Sequence, residues 1–299
     1  MQSFLFATGI ENSSPRVMRR DGRIARVDQM EATGHYQRYR EDLALAKALG
    51  IDVLRYGAPY YRAHAGPGRY DWDFSDAAFG EIRRLGITPC VDLCHFGLPD
   101  WLENFQNPEF PAHFADYARA FAERFPWVRL YTPINEMYVA AHFSAQLGLW
   151  NECLKSDRAF VTATKHIAKA NLLATLAIIE VQPAARFIQS ESSEYFHPSN
   201  PDAVKVARAL NERRLLSLDL CYGYDLCAFR LPVRAGRHAG DDCRREGRAP
   251  GACRQRAGPL LRRGTAARGR GAERPGHRGL HPRGGRDHLP SCRHLQDGA

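Results

Sequence analysis

Apolar side chains recur at strand-like and helix-like spacings in turn along the first 229 residues of the chain. Short, mostly apolar runs predict β-strands at 3–10, 52–56, 87–93, 128–134 and 186–189. Apolar residues three or four positions apart predict amphipathic helices at 35–49, 73–85, 111–125, 157–181 and 202–216. In the helix at 111–125, one apolar stripe is formed by Phe114, Tyr117, Ala118 and Phe121. The chain therefore alternates strands with helices.

This alternation is typical of β-α-β units, whose strands form a parallel sheet. Two of the helices lead into the next strand through the same tripeptide, Leu-Gly-Ile, at 49–51 and 85–87. No glycine-rich dinucleotide-binding fingerprint follows the first strand, where a doubly wound nucleotide-binding sheet would carry one. We therefore predict an α/β barrel in preference to a doubly wound sheet.

The charge of the chain is distributed unevenly. Residues 1–229 carry 25 Lys and Arg against 27 Asp and Glu, whereas residues 230–299 carry 17 Arg, no Lys and six acidic residues. The segment 230–299 also contains no Phe, Tyr, Trp, Ile, Met or Asn. Without such side chains it cannot bury enough apolar surface to offset the entropy of ordering. We predict a globular domain over 1–229 and a disordered Arg/Gly/Pro-rich tail over 230–299.

The cysteine pattern predicts neither a disulfide framework nor a metal site. Cys90, Cys94 and His95 lie close in sequence, but strand residues four apart are about 13 Å apart, too far for one zinc ion. The N-terminus lacks the charged and long apolar segments of a signal peptide, and no stretch has the length of a membrane span. We therefore predict a cytoplasmic protein that uses no metal or other cofactor.

Polar and ionisable residues follow several of the predicted strands. Because the carboxyl ends of the strands meet at one rim of an α/β barrel, these residues are predicted to converge. They are Arg55, His95, Asn135, Glu136, Glu191 and Glu194. A carboxyl group can transfer protons, while amide and imidazole groups can bind hydroxyls, so the set suits a polyhydroxylated substrate.

The order of the motifs resembles the N-terminal part of glycoside hydrolase family 1, the family of the β-glucosidases. The family's Thr-x-Asn-Glu-Pro signature corresponds to Thr132-Pro133-Ile134-Asn135-Glu136-Met137, which has one extra residue and Met137 in place of proline. Further motifs that match in order are Tyr39-Arg40-Glu41-Asp42, Leu54-Arg55-Tyr56, Tyr70-Asp71-Trp72-Asp73, His95-Phe96-Gly97-Leu98-Pro99-Asp100-Trp101-Leu102 and Asn171-Leu172-Leu173-Ala174. The resemblance covers about residues 1–229 and implies a (β/α)8 TIM barrel of which about strands one to five are encoded.

The resemblance implies a role for each matching residue. Glu136 would be the catalytic acid/base, and Asn135 would bind the sugar 2-hydroxyl. His95 would bind another sugar hydroxyl, and Arg55 would lie near the nucleophile and favour its ionised form. Glu11 falls near the family's sugar-binding glutamine. The expected substrate is a small carbohydrate or glycoside.

Several of these residues also have a structural interpretation. Glu136, at the end of a strand, could be a surface or salt-bridged residue. His95 could be a packed core histidine, and Arg55 could pair with a carboxylate of the barrel. Glu191 and Glu194 are expected to be local hydrogen-bond partners. Trp72 and Trp101 are expected to pack in the core in preference to stacking on sugar rings.

The family's nucleophile is a Glu at the end of strand seven, in a Thr-Glu-Asn-Gly type of motif, and this motif does not occur here. The only glutamates after Glu212 are Glu246 and Glu273, neither in a strand-like context. The abrupt change of composition near residue 229 is what reading GC-rich DNA in a wrong frame would produce. We therefore hypothesise a frameshifted or truncated gene product.

The sequence thus predicts a retaining β-glycosidase-like hydrolase that is inactive or impaired because its nucleophile is missing. One alternative is a sugar-binding remnant without turnover. A second is an arginine-rich tail that binds nucleic acid. The tail has no aromatic residues on which bases could stack, so nucleic acid is a disfavoured partner.

Overall fold

The computed structural model describes residues 4–223, and the predicted tail at 230–299 lies outside the described residues. The strands are Ala7–Ile10 (β1), Arg16–Met18 (β2), Ile24–Arg26 (β3), Val53–Tyr56 (β4), His64–Gly66 (β5), Arg69–Tyr70 (β6), Thr88–Asp92 (β7), Leu130–Thr132 (β8) and Arg186–Phe187 (β9). The α-helices are Gln29–Ala32 (α1), His35–Ala48 (α2), Tyr60–Ala63 (α3), Asp73–Arg84 (α4), Phe110–Arg124 (α5), Met137–Ala141 (α6), Asp157–Val181 (α7), Val204–Arg213 (α8) and Leu216–Tyr222 (α9). Short 3-10 helices span Asp100–Leu102 and Pro201–Ala203, and a π-helix spans His142–Gln146.

Five strands form one parallel sheet in the order β1-β4-β7-β8-β9. Leu54, in β4, lies opposite Thr8 of β1 and Pro89 of β7. The spatial order follows the chain order without the reversal that characterises doubly wound sheets. The predicted fold class is confirmed: the described residues form an incomplete (β/α)8 TIM barrel.

The two Leu-Gly-Ile repeats form the same helix end. After α2, the N–H of Gly50 donates to Lys47 O at 3.0 Å and the N–H of Ile51 donates to Ala46 O at 3.2 Å. The same pair of bonds closes α4, where Gly86 stands in place of Gly50. Both glycines have positive φ, 81° and 64°, which glycine adopts without the steric penalty of a Cβ. The repeat is therefore a Schellman cap that turns each helix back toward the sheet.

The longest helix, α7, packs against α5 on the outside of the sheet. Ser156 caps its start, since its side chain accepts a hydrogen bond from Ala159 N–H. The inner face of α7 carries mostly small residues, whereas α5 contributes the fully buried rings of Phe114 and Phe121. Burial of each such ring stabilises the fold by about 1.5–3 kcal/mol. Although α7 has 25 residues, no helix among residues 4–223 combines the length and apolarity needed to cross a membrane.

Trp72 and Trp101 pack in a cluster of aromatic rings, as their structural interpretation predicts. Trp72 stacks on Tyr117 with a centroid separation of 5.8 Å. The indole N–H of Trp101 donates to His64 O at 2.8 Å, and the His64 ring stacks on Tyr117 at 5.6 Å. The two tryptophans therefore contribute to the core beside the sheet.

Several predicted boundaries differ from the structure. The first strand begins at Ala7, and β8 and β9 are three and two residues long. The helix predicted at 202–216 is divided into a 3-10 turn, α8 and α9. The break after Arg213 has no glycine or proline to signal it, and it allows α9 to pack against α6 and α7. The hairpins β2–β3 and β5–β6 were not predicted, because their strands are only two or three residues long.

Candidate active site

The five sequence-predicted site residues lie at the carboxyl edge of four neighbouring strands. Glu11 follows β1, Arg55 lies in β4, His95 follows β7, and Asn135 with Glu136 follows β8. These strands are adjacent in the order β1-β4-β7-β8, so residues far apart in sequence meet at one rim. An open cavity of about 430 Å³ is lined there by β1, Glu11, Arg55 and Asp92.

Asp92, the last residue of β7, connects two of the predicted residues. Its Oδ2 lies 2.6 Å from Arg55 Nη2 and 2.7 Å from His95 Nδ1. The Asp92 side chain is only 2% exposed, and that of Arg55 is 25% exposed. Arg55 therefore pairs with a barrel carboxylate, which was its structural interpretation. The predicted effect of Arg55 on a nucleophile stays a prediction.

The bond to Asp92 determines the tautomer of His95. Because a carboxylate can only accept, His95 Nδ1 carries the proton that it donates to Asp92. The other ring nitrogen, Nε2, is then free to accept from Asn135 Nδ2, which lies 3.2 Å away. His95 is buried, and its Nε2 faces the Asn135 amide at the rim.

Asn135 is held at every polar atom of its side chain. Its Oδ1 accepts a hydrogen bond of 2.7 Å from Arg55 Nη2. Its Nδ2 donates to His95 Nε2 and, at 3.4 Å, to Glu136 Oε2. These contacts fix which end of the amide faces Arg55. They also join Asn135 to the Asp92–His95 pair in one network.

Glu136 has a strained backbone and a half-buried side chain. Its φ of 42° and ψ of 63° lie in the left-handed region, which costs a residue with a Cβ about 1–2 kcal/mol. Burial raises the pKa of the Glu136 carboxyl, while His95 and the hydrogen bond from Asn135 oppose the rise. A raised pKa keeps a carboxyl protonated at higher pH, as a general acid requires.

Glu11 is the most exposed member of the set. Its carboxylate is 63% exposed and lies 3.8 Å from His95 Nε2. The adjacent Asn12 is buried and donates to Ala58 O at 2.8 Å and to Asp92 O at 3.2 Å. A Cβ on Gly57 would lie 2.0 Å from Asp92 O and 2.3 Å from Asn12 Nδ2. Glycine at 57 therefore allows β4 and β7 to meet the segment after β1.

Asp92 and Asn12 were not predicted as site residues. Asp92 ends an apolar strand at the rim-facing edge, and this position was the signal that could have identified it. Asn12 lies in the polar run Glu-Asn-Ser-Ser, which by composition is typical of a turn. Its contacts join segments 46 and 80 residues apart, which no local pattern indicates.

Glu191 and Glu194 were expected to be local hydrogen-bond partners, and their contacts are of that kind. Glu191 Oε1 accepts from the N–H of Met137 at 3.1 Å and from Ser217 Oγ at 3.3 Å. Glu194 is exposed and accepts from Ser192 Oγ at 2.5 Å. Burial raises the pKa of Glu191 to about 7.

The thiols of Cys90 and Cys94 contact protein atoms. Cys90 Sγ lies 3.9 Å from Thr132 Oγ1, and Cys94 Sγ donates to Gly97 O at 3.7 Å. Across residues 4–223, no group of three or more His, Cys, Asp and Glu side chains is arranged to hold a metal ion.

A sequence model of Glycosyl hydrolase family 1 matches residues 16–223. The chain belongs to this family. This confirms the resemblance to the family that the motifs indicated.

Relatives within the family share part of their length with the chain. The 6-phospho-beta-glucosidase AscB of Escherichia coli is 29% identical over 204 residues, which are 64% of this chain and 43% of that protein. Beta-glucosidase 29 of Arabidopsis thaliana is 32% identical over 119 residues, 36% of this chain and 20% of its own. The chain thus spans less than half the length of these curated relatives.

Solved structures support the same fold. A beta-glucosidase from Thermotoga maritima in complex with castanospermine has a TM-score of 0.64 at 20% identity, covering 82% of this chain and 60% of its own. The AHE enzyme from Alicyclobacillus herbarius has a TM-score of 0.62 at 24% identity, covering 72% and 54%. At these identities the likeness establishes the barrel and leaves the substrate open.

Proposed function

We propose that the site is built for hydrolysis of O-glycosidic bonds by the retaining double-displacement mechanism, with Glu136 as acid/base. The observation that carries the proposal is the network that joins Glu136 through Asn135 to His95 and Arg55. It combines a carboxyl group of raised pKa with fixed hydrogen-bonding groups at the carboxyl rim of a family 1 barrel.

In the first step, Glu136 gives its proton to the glycosidic oxygen, and the aglycone leaves as an alcohol while a carboxylate nucleophile bonds to the anomeric carbon. In the second step, the Glu136 carboxylate takes a proton from water, whose oxygen displaces the nucleophile. Asn135 binds the sugar 2-hydroxyl, a contact that strengthens in the transition state. His95 and Glu11 bind further hydroxyls, and Arg55 lies beside the position of the nucleophile.

The substrate is a small β-glycoside, a glucoside, galactoside or related sugar. Relatives named as beta-glucosidases and as 6-phospho-beta-glucosidases match the same part of the chain, so the choice of sugar is left open. The reaction class requires no cofactor and no metal.

The nucleophile is the part of the mechanism that we expect the chain to lack. No Thr-Glu-Asn-Gly type of motif occurs in the sequence, and a retaining glycosidase needs a second carboxylate about 5–5.5 Å from the acid/base. We therefore expect the chain by itself to be inactive or impaired. The same observation favours a second candidate, a sugar-binding remnant that retains His95 and Asn135.

Glu136→Gln separates the two candidates when hydrolysis of 4-nitrophenyl β-glucoside and calorimetric binding of an iminosugar are both measured. Turnover by the unaltered chain that Glu136→Gln abolishes indicates an enzyme. Sugar binding without turnover in either form indicates a remnant. Glu194→Gln, which alters an exposed carboxylate, is the matched control. Failure of both forms to bind or hydrolyse any glycoside would contradict both candidates.

The division of the chain into a partial barrel at 1–229 and a tail at 230–299, with a cytoplasmic location, belongs to the same proposal. The composition of the tail supports a change of reading frame near codon 229. Nucleotide sequence in which family-like coding continues in another frame would support this origin. A single intact frame in many independent reads would contradict it.

A further inference from the structure

The two backbone N–H groups around the Glu136 α-carbon are both held by the segment that follows β9. The N–H of Glu136 donates to Ser190 O at 2.8 Å. The next N–H, that of Met137, donates to the carboxylate oxygen Oε1 of Glu191 at 3.1 Å. Adjacent residues of one segment therefore hold both amides of the left-handed turn that presents Glu136.

The Glu191 carboxylate is placed between three elements. It lies beneath the start of α6, receives a hydrogen bond of 3.3 Å from Ser217 Oγ of α9, and follows β9 in the chain. Gln189 Nε2 lies 3.4 Å from the same oxygen. These contacts direct the Glu191 carboxylate toward the backbone of the turn. Its oxygen Oε1 is occupied by hydrogen-bond donors, whereas a nucleophile poised for attack would have its oxygen free.

We propose that Glu191 is a positioning residue for Glu136. By binding the Met137 N–H, Glu191 holds the left-handed turn that presents Glu136. This rests on the proposed role of Glu136 as acid/base. An ionised carboxylate accepts a stronger hydrogen bond than a neutral carboxyl group. The turn is therefore held most firmly when Glu191 is charged.

Two titratable groups lie around the Glu191 carboxyl: Glu136 and the Cys221 thiol of α9. The charge of Glu136 raises the pKa of Glu191, so Glu136 loses its proton first and Glu191 is still neutral while Glu136 titrates. Glu191 therefore acts on Glu136 through the backbone of the turn.

Methionine amides offer a direct test in the full-length chain, because it contains only four Met residues. With [15N]methionine labelling, the amides of Met18, Met30 and Met137 report on three different acceptors. Met137 donates to Glu191, Met30 donates to the Asp28 carboxylate at 2.9 Å, and Met18 donates to Leu149 O at 3.0 Å. Met137→Leu assigns the Met137 signal by removing it.

We expect the Met137 amide shift to titrate with a midpoint near pH 7, following Glu191. Glu191→Gln should abolish this titration and leave the Met18 and Met30 signals in place. Glu194→Gln should change none of these. A Met137 signal that does not titrate, or one that still titrates near pH 7 in Glu191→Gln, would overturn the proposal.

A second variant keeps the carboxylate and alters only its partner. Ser217→Ala removes a hydrogen bond that favours the charged form of Glu191, so the midpoint of the Met137 titration should move to higher pH. An unmoved midpoint would contradict the arrangement. Because these signals do not depend on sugar chemistry, the contact can be present even where Glu136→Gln shows that the chain is a remnant, and the two proposals can fail separately.

Discussion

His95 Nδ1 donates to Asp92 Oδ2 across 2.7 Å, inside the barrel where both side chains are at most 3% exposed. Since Asp92 Oδ2 also binds Arg55, one carboxylate oxygen fixes both a ring tautomer and a guanidinium group. His95 Nε2 can then accept from Asn135, which in turn contacts Glu136. The predicted sugar-binding residues are thus ordered by a residue whose role no motif indicated.

Asp92→Asn should destabilise the fold, because it leaves the Arg55 charge largely buried without its carboxylate. Removal of one partner from a buried pair costs about 3–5 kcal/mol, and the partial exposure of Arg55 places the expected loss in the free energy of unfolding near the lower end. Urea denaturation measures this loss.

Asp100→Asn is the matched control, because Asp100 also pairs with an arginine, Arg26, but is 75% exposed. Arg26 is only 14% exposed, but it keeps its hydrogen bonds to Ser14 O and Leu98 O in this variant, so the loss should be smaller than at Asp92. Equal losses in the two variants would contradict a special role for Asp92.

Glu191 should make the fold less stable as the pH rises. Its pKa moves from 4.5 to about 7 on folding, so the folded chain binds an additional proton between these pH values. The stabilising contribution is present below pH 4.5 and is lost by about pH 7, an effect of about 3 kcal/mol. Glu191→Gln should remove this contribution, so its free energy of unfolding in urea should change more favourably from pH 5 to 7.5 than that of the unaltered chain, whereas Glu194→Gln should behave like the unaltered chain. Parallel pH dependence in the unaltered chain and Glu191→Gln would refute the expectation.

His64 should make the fold less stable as the pH falls, the opposite of the effect of Glu191. It is fully buried among aromatic rings, and neither of its ring nitrogens has a hydrogen-bond partner among residues 4–223. Burial lowers the pKa of His64 from 6.5 to about 4, so its contribution is present above pH 6.5 and is lost as the pH falls to 4. The expected loss is about 3 kcal/mol.

His64→Phe, which keeps a ring in the cluster, should abolish this acid sensitivity. Between pH 4.5 and 6.5 the contributions of His64 and Glu191 to the free energy of unfolding change in opposite directions and offset each other in the unaltered chain. His64→Phe should therefore reveal the pH dependence due to Glu191, and Glu191→Gln should reveal that due to His64. If His64→Phe left the pH dependence unaltered, His64 would have to be solvated in the folded state.

The sequence identified the parts of the fold that depend on local chemistry. The strand and helix alternation, the two Leu-Gly-Ile junctions and the Asn135–Glu136 motif were all found from short segments. The contacts of Asn12 and Asp92 depend on which strands become neighbours, and the break between α8 and α9 depends on packing against α6 and α7. The partners in these contacts have no signal within the segment that forms them, which is why the contacts were missed.

Gly50→Ala should destabilise the chain, although nothing lies within 4 Å of the position of the added Cβ. Gly50 has a φ of 81°, and a Cβ in the left-handed region costs about 1–2 kcal/mol. Gly80 lies on the exposed face inside α4 with equally open space around it. Gly80→Ala should therefore stabilise the chain by about 0.5–1 kcal/mol. Opposite signs of the two changes in the free energy of unfolding are expected, and equal signs would show that the Gly50 cap does not hold α2.

A small external anion should replace the nucleophile that we expect the chain to lack, if Glu136 and Asn135 are competent. We expect azide to react with a bound β-glucoside at the anomeric carbon, displacing the aglycone and giving the α-glucosyl azide. With 2,4-dinitrophenol as the leaving group no proton is needed, so Glu136→Gln should retain this reaction. With phenol as the leaving group, whose departure requires the acid, Glu136→Gln should slow the azide reaction by about 10²–10⁴-fold.

Product analysis by NMR gives the anomeric configuration. Turnover without azide at a comparable rate would show that the chain supplies its own nucleophile, and the assignment of the chain as inactive or impaired would then be wrong.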